Sequence, residues 1–165
     1  MKKDQVDFIQ GQWALERPDI DTSPMGVIGR ISRISRYIDR LLQENFSKFE
    51  LNGGEFDVLA SLRRAGSPYQ LAPTELFHAL MLSSGAMTNR VDRLEQAGLI
   101  RRNRNPDDRR GILVSLTEKG LELIDKVYPE HLEHEDNLLR SLSAAERAKL
   151  TVLLRKMLLS FEREE

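Results

Sequence analysis

Apolar side chains recur at helical spacing through most of this chain, and only two short stretches alternate in the manner of strands. Val27, Ile28, Ile31, Ile34, Ile38, Leu41, Leu42 and Phe46 repeat every three or four positions. That period predicts a helix of about six turns, opened by Ser23-Pro24. Ahead of it, residues 5–16 read as a short amphipathic helix stopped by Arg17-Pro18-Asp19, because proline cannot continue a helix. After it, Asn52-Gly53-Gly54-Glu55 is a break with a capping-box-like start. The helix it opens runs through Phe56, Val58, Leu59 and Leu62 and closes near Gly66. Pro73-Thr74-Glu75 opens a short helix through Leu76, Phe77 and Leu80, with Ala72 a poor cap. Ser83-Ser84-Gly85 opens another, which stops at Gly98.

Two candidate strands follow, Leu99 to Arg104 and Ile112 to Leu116, the second alternating Ile112, Val114 and Leu116. Between them, residues 105–111 form a turn-rich hairpin tip bearing four charges. Thr117 caps a long helix with Leu121, Ile124, Tyr128 and Leu132, and Ser143-Ala144-Ala145-Glu146 is a capping box opening a last one. That last helix carries Leu150, Leu153, Leu154, Met157 and Phe161.

A short helix, a tight turn, a second helix and a charged hairpin make a winged helix-turn-helix. The expected fold is therefore mainly α with a small β-hairpin wing. Three regions are expected: N-terminal helices at 1–50 (an extra helix and a dimerisation helix), the winged helix-turn-helix DNA-binding unit at 51–116, and C-terminal dimerisation helices at 117–165. The flanking helices are apolar over faces too broad for the central unit to cover, which points to burial against a second copy, a homodimer.

Composition narrows the function. Among 165 residues there is no cysteine, which removes disulfides, thiolate zinc sites and thiol redox switches. No apolar run is long enough to span a bilayer, and Asp4, Gln5 and Asp7 interrupt the N-terminus where a signal peptide needs an apolar stretch. A cytoplasmic protein without membrane partners is expected. No nucleophile elbow, glycine-rich phosphate loop or paired-carboxylate spacing is present, so the chain reads as no enzyme and as needing no cofactor. His131 and His134 stand three apart among Glu130, Glu133, Glu135 and Asp136. A hydrated acidic face suits them better than a metal site.

The net charge of −1 conceals an uneven distribution. Residues 90–110 hold seven arginines against four acidic residues, whereas 117–165 hold eight basic against eleven acidic ones. Positive charge is thus concentrated around the second helix of the helix-turn-helix and the hairpin, where a phosphate backbone could meet it. On a helix over 84–96, Met87, Val91 and Leu94 share a narrow arc, while Gly85, Thr88, Asn89, Asp92 and Gln96 lie opposite, with Ser84 at the edge. Such a small, polar face fits a major groove, with Arg93 among the flanking arginines. Arg109 and Arg110 at the hairpin tip suit a narrow minor groove, Asp108 holding the Arg110 guanidinium in place. Taken singly, each feature is also compatible with an ordinary solvated surface.

Gln96-Ala97-Gly98-Leu99-Ile100, Asp108-Arg109-Arg110-Gly111 and Val114-Ser115-Leu116-Thr117-Glu118-Lys119-Gly120 resemble the MarR family of bacterial regulators. The resemblance covers residues 24–162. It implies an obligate homodimer with interleaved terminal helices, a wing arginine in the minor groove and a palindromic double-stranded operator. Trp13 on an added helix, Arg17-Pro18-Asp19, Glu55 to Leu59 and Thr88-Asn89-Arg90 are similar to the urate-responsive, PecS-like branch of that family. That branch implies a site for a small aromatic anion formed by Trp13, Asp57, Arg90 and Arg102. Arg90 falls on the flank of the buried arc, where a guanidinium needs a carboxylate or an anion, and Asp57 is a candidate partner. A repressor released by urate is the reading this favours. A regulator answering another phenolic or aromatic acid, and a winged helix used for protein contacts, remain alternatives.

Overall fold

Seven helices and three short strands follow one another in a computed structural model that describes residues 2–80, 84–106, 108 and 111–162, with the backbone alone at 84–86. They fall into two compact units, residues 1–44 and 45–165.

The first unit holds α1 (Gln5–Glu16) and most of α2 (Ser23–Ser47). Asp4 caps α1, accepting from the Val6 and Asp7 amides, while the Asp7 carboxylate accepts from the Asp4 amide in return. Arg30 on α2 then donates to both carboxylates, at 2.8 Å to Asp4 and 2.7 Å to Asp7. One guanidinium thus fastens α2 to the capping box of α1. Val6 is buried over Gly29, where an added Cβ would stand 3.5 and 3.6 Å from its two methyl groups. The middle of α2, from Ser32 to Tyr37, is exposed on every side, with Ile34 at 55% and Tyr37 at 54%.

The second unit contains α3 (Gly53–Arg64), β1 (Gln70–Leu71), α4 (Pro73–Leu80), α5 (Ser84–Gln96), β2 (Ile100–Arg104), β3 (Ile112–Leu116), α6 (Glu118–Leu138) and α7 (Ala144–Phe161). Its core is formed by Val58, Leu59, Leu62, Leu76, Leu94, Ile100, Val114, Ile124 and Val127, all almost completely buried. The strands form one antiparallel sheet in the order β1-β3-β2, with Arg102 opposite Val114 and Leu71 also opposite Val114. The sequence pattern predicts a two-stranded hairpin. The third strand, β1, is only two residues long and too short for an alternating pattern to register.

Helix starts follow the sequence closely. Asn52 caps α3, with Glu55 returning the bond to its amide. Ser143 and Glu146 do the same for α7, and Thr117 caps α6 through the Gly120 amide. Ala72 does not cap α4 with its side chain. The Glu75 carboxylate instead reaches back to the Ala72 amide at 2.6 Å. Gly98, at a φ of +70°, ends α5.

One expectation needs correction. His131 does not sit on a hydrated face. It is buried, with its ring 5.2 Å from Phe46 and 4.6 Å from Phe56, and its Nε2 lies 3.2 Å from Glu135. The inner face of α6 is accordingly Gly120, Ile124, Val127 and His131, leaving Tyr128 and Leu132 about half exposed. α7 buries none of its residues, and Val152, Leu153, Leu158 and Phe161 are all more than half exposed.

Candidate nucleic-acid interface

α4 and α5 lie side by side in sequence on the second unit, and α5 presents two unlike faces. Met87, Val91 and Leu94 are buried at 6%, 5% and 1% exposure, as their spacing predicts. Thr88, Asn89 and Gln96 face solvent. The apolar stripe fixes how far the helix can rotate, so the small polar face must point outward. Ser84 and Gly85 form the first turn of α5, and their side chains lie outside the described residues.

The wing is anchored at its root. Buried Ser115 on β3 accepts from Asn103 at 2.8 Å and from Arg101 at 3.3 Å, both on β2. Thr117 donates its amide to the Leu99 carbonyl at 3.0 Å. Towards the tip, the Asn105 amide donates to Gly111 and the Gly111 amide to Asp108, each at 2.9 Å, which closes the turn. Asp108 is exposed at this tip, whereas Arg109 and Arg110 lie outside the described residues. The hold of Asp108 on Arg110 therefore also falls outside them.

The arginines of α5 turn towards other parts of the second unit. Arg90 is half-buried, and its guanidinium lies against the backbone of Gly54 in the first turn of α3. A Cβ at Gly54 would lie 2.2 Å from the Arg90 Cζ, so the guanidinium occupies the space a side chain would need. Arg93 is 67% exposed, yet its Nε lies 3.0 Å from the buried carboxylate of Glu55. Arg102 on β2 is paired with Asp92 at 2.5 Å and with Glu95, both on α5, and its amide donates to Glu95 at 3.0 Å. These carboxylates hold the Arg102 guanidinium further above its ordinary range, Asp92 contributing most.

Asp57 sits one turn into α3, on its outer side. Desolvation by the surrounding protein raises its carboxyl above the usual carboxylate range, while Arg90, His131 and Arg64 pull it down. Of the four residues expected to form a ligand site, the second unit thus brings Asp57 and Arg90 within electrostatic reach of each other. Arg102 is engaged with α5, and Trp13 is 46% exposed on α1 in the first unit. Sequence reasoning read Glu55 only as a capping residue and gave Gly54 no role. Nothing in a glycine's identity signals that an arginine from another helix will cover it.

A separate cleft of about 420 Å³ opens between α3 and α6, walled by Ala60, Ile124, Tyr128 and Pro129 with Arg63 and Arg64 at its edge. Arg63 donates to Asp125 at 2.6 Å and lies 5.0 Å from the Tyr69 ring. Among the described residues no cluster of histidine and carboxylate side chains could hold a metal ion, and no helix is long and apolar enough to cross a membrane.

Comparison with known proteins agrees with this geometry. Residues 51–112 match the model of the MarR family. The chain is 47% identical over 150 residues to the HTH-type transcriptional regulator PecS of Dickeya dadantii, covering 91% of this chain and 90% of that protein. It is 36% identical to the multiple antibiotic resistance protein MarR of Salmonella typhimurium, over 82% and 91% of the two chains. Among solved structures, a MarR mutant from E. coli complexed with operator DNA superposes with a TM-score of 0.72 at 34% identity, covering 82% of this chain and 94% of that one. BpsR of Bordetella bronchiseptica, whose DNA binding is regulated by 6-hydroxynicotinic acid, superposes with a TM-score of 0.71 at 26% identity, over 79% and 91%. With the helix-turn-helix of α4 and α5, the β2–β3 wing and this likeness along most of its length, the chain belongs to the MarR family of transcriptional regulators and is not an enzyme.

Proposed function

We propose that this protein binds a palindromic operator as a homodimer and represses transcription until a small aromatic anion of the urate type releases it. The observation that carries the reading is the position of Arg90. Its backbone belongs to the helix that offers Thr88 and Asn89 to solvent, while its guanidinium lies on Gly54 within reach of Asp57. A ligand anion that draws this guanidinium away from Asp57 acts directly on the helix meant for the major groove. A tenfold loss of DNA affinity needs only about 1.4 kcal/mol of coupling.

In this reading Gly85, Thr88 and Asn89, with Ser84 at the edge, face the bases, the amides of Ser83 and Ser84 at the start of α5 meet a phosphate, and Arg109 and Arg110 enter the minor groove with Asp108 beside them. The two recognition helices of a symmetric dimer meet major grooves one helical turn apart, about 34 Å. The exposed apolar side chains of α7 support the second copy, since a helix with that much uncovered apolar surface is stable only against a partner. The assignment of Trp13 and Arg102 to the ligand rests on the resemblance to the urate-responsive branch. Quenching of the single tryptophan by urate checks the first of them.

The decisive experiment follows operator binding by fluorescence anisotropy at fixed salt, using the DNA upstream of the protein's own coding sequence, while urate is added. Loss of binding in the wild type and its persistence in Arg90→Ala support the proposal. An Arg90→Ala variant that responds to urate as the wild type does would sink it. The α3–α6 cleft favours one further reading: largely apolar walls with two arginines at the edge also suit a phenolic or aromatic acid. Release by salicylate with no response to urate would select it.

A further inference from the structure

We infer that the first turn of α3 is a clamp that sets the orientation of the recognition helix, with Glu55 as its positioning residue and Arg93 as its grip. This rests on the reading of α5 as the helix that meets DNA, and it assigns Arg93 a role other than phosphate contact. Arg90 and Arg93 are three residues apart and so share one side of α5. Both meet the same turn of α3: Arg90 covers the backbone of Gly54, and Arg93 pairs with Glu55 at 3.0 Å.

The electrostatics of that turn make the arrangement informative. A helix N-terminus carries roughly half a positive charge, so two guanidiniums placed against it are disfavoured unless carboxylates outweigh it. Glu55 supplies the carboxylate in direct contact with one of them. Glu55 is 3% exposed, and each of its two oxygens has a separate task. Oε2 accepts from the Asn52 amide at 2.9 Å and completes the α3 cap, while Oε1 faces Arg93. One buried carboxylate therefore joins the start of α3 to the last turn of α5. The Asn52 amide still partners Glu55 if the cation is removed, and water screens the 67% exposed Arg93, so the pair biases the orientation of α5 without being needed for the fold.

Gly54 completes the clamp by its lack of a side chain. An alanine there would drive the Arg90 guanidinium aside, since a Cβ would stand 2.2 Å from both Cζ and Nε. A guanidinium is the far end of a flexible side chain, so the fold survives and only the grip on α5 changes.

Two further variants separate a clamp from a phosphate contact. Glu55→Gln keeps an oxygen for the Asn52 amide, since glutamine also serves in a capping box. It removes the charge facing Arg93. Affinities of Glu55→Gln, Arg93→Gln and the double variant for the operator and for an unrelated duplex are measured from 50 to 300 mM salt, with thermal melting as the folding check. The clamp predicts that each single variant loses about two- to fivefold in operator affinity and that the double loses no more than either. It also predicts that binding to unrelated DNA and the slope of log K against log salt stay at wild-type values. Gly54→Ala should weaken operator binding in the same way and serves as the second reading if Glu55→Gln melts early. The inference fails if Arg93→Gln lowers the salt slope by about one per protomer while Glu55→Gln binds as well as the wild type or better. A wild-type protein that binds no DNA at low salt would instead remove the DNA-binding reading underneath, and the clamp with it.

Discussion

Gly120 offers the sharpest test of how the wing is attached. It is the third residue of α6, and a Cβ built on it would lie 1.9 Å from the Leu99 carbonyl oxygen and 2.9 Å from its carbon. Ordinary contact begins near 3.4 Å, so α6 and the start of β2 must part by about 1.5 Å to admit an alanine. Both obstructing atoms are backbone, and no side-chain rotation relieves them. The same carbonyl accepts from the Thr117 amide at 3.0 Å and from its hydroxyl at 3.1 Å, and both bonds lengthen as the elements separate. Overpacking costs about 1–3 kcal/mol and each of the two weakened bonds about 1 kcal/mol, against a gain of about 1 kcal/mol in helix propensity. Gly120→Ala should therefore lose about 2–4 kcal/mol, a fall of roughly 4–16 °C in Tm for a chain of this size. Gly11, inside α1 with nothing within 4 Å of an added Cβ, is the control. The same substitution there should gain about 0.5–1 kcal/mol. Thermal denaturation at one fixed protein concentration reads both variants. Gly120→Ala melting at or above the wild type would refute the close approach of α6 to the wing root.

Three other outcomes are expected. Asp57 has a folded pKa raised chiefly by desolvation, so its contribution to stability is complete below the unfolded value and lost as the pH rises through the folded one. Asp57→Asn should thus melt higher than the wild type at neutral pH and lose that advantage below about pH 4, near the unfolded pKa of an aspartate; an advantage that grows on acidification would overturn the assignment. Asn52→Ala removes the side-chain acceptor for the Glu55 amide and should cost about 1 kcal/mol in urea denaturation, with no loss expected only if the cap is not formed in solution. Leu153→Lys with Leu158→Lys places two charges on the uncovered surface of α7; if the protein dimerises there as proposed, sedimentation should show a dimer for the wild type and a monomer for the variant, and a variant that stays dimeric would move the interface elsewhere.

The elements that sequence reasoning located best are those whose signals are local. Capping at Asn52, Thr117 and Ser143 depends on residues three positions apart, and the buried arc of Met87, Val91 and Leu94 depends on one helical period. Strand β1 escaped because two residues carry no period and gain their strand geometry from pairing with β3, over forty residues away in sequence. His131 escaped for a related reason. Its neighbours are charged, and only the arrival of Phe46 and Phe56 on one side of α6 makes that position interior. At the site, Arg90 is half-buried on α5 and its charge reaches the Asp57 carboxyl. The engagement of Arg102 with Asp92 and Glu95 was not legible, because it joins a strand to a helix with Gly98 at the bend between them.

The arginine cluster shows how geometry changes what a charge count means. Seven arginines between 90 and 110 suggest a surface made for phosphates. Three of them are committed to carboxylates or backbone: Arg90 on Gly54 beside Asp57, Arg93 on Glu55, and Arg102 on Asp92 and Glu95, while Arg101 only reaches the Ser115 hydroxyl. Arg101 and Arg104 remain exposed along β2, the edge strand that leads out to the tip. Each phosphate neutralised on duplex DNA contributes about 0.9 to the fall of log K with log salt. If all seven met phosphates, a dimer would show a slope of about −13. With three per protomer committed to carboxylates or backbone, the same arithmetic gives about −7, and a measured slope near the larger figure would mean that these arginines leave their partners on binding. In the proposed reading the cluster serves two purposes: the arginines without an internal carboxylate meet the DNA, and the rest fix the helix and wing that carry them there.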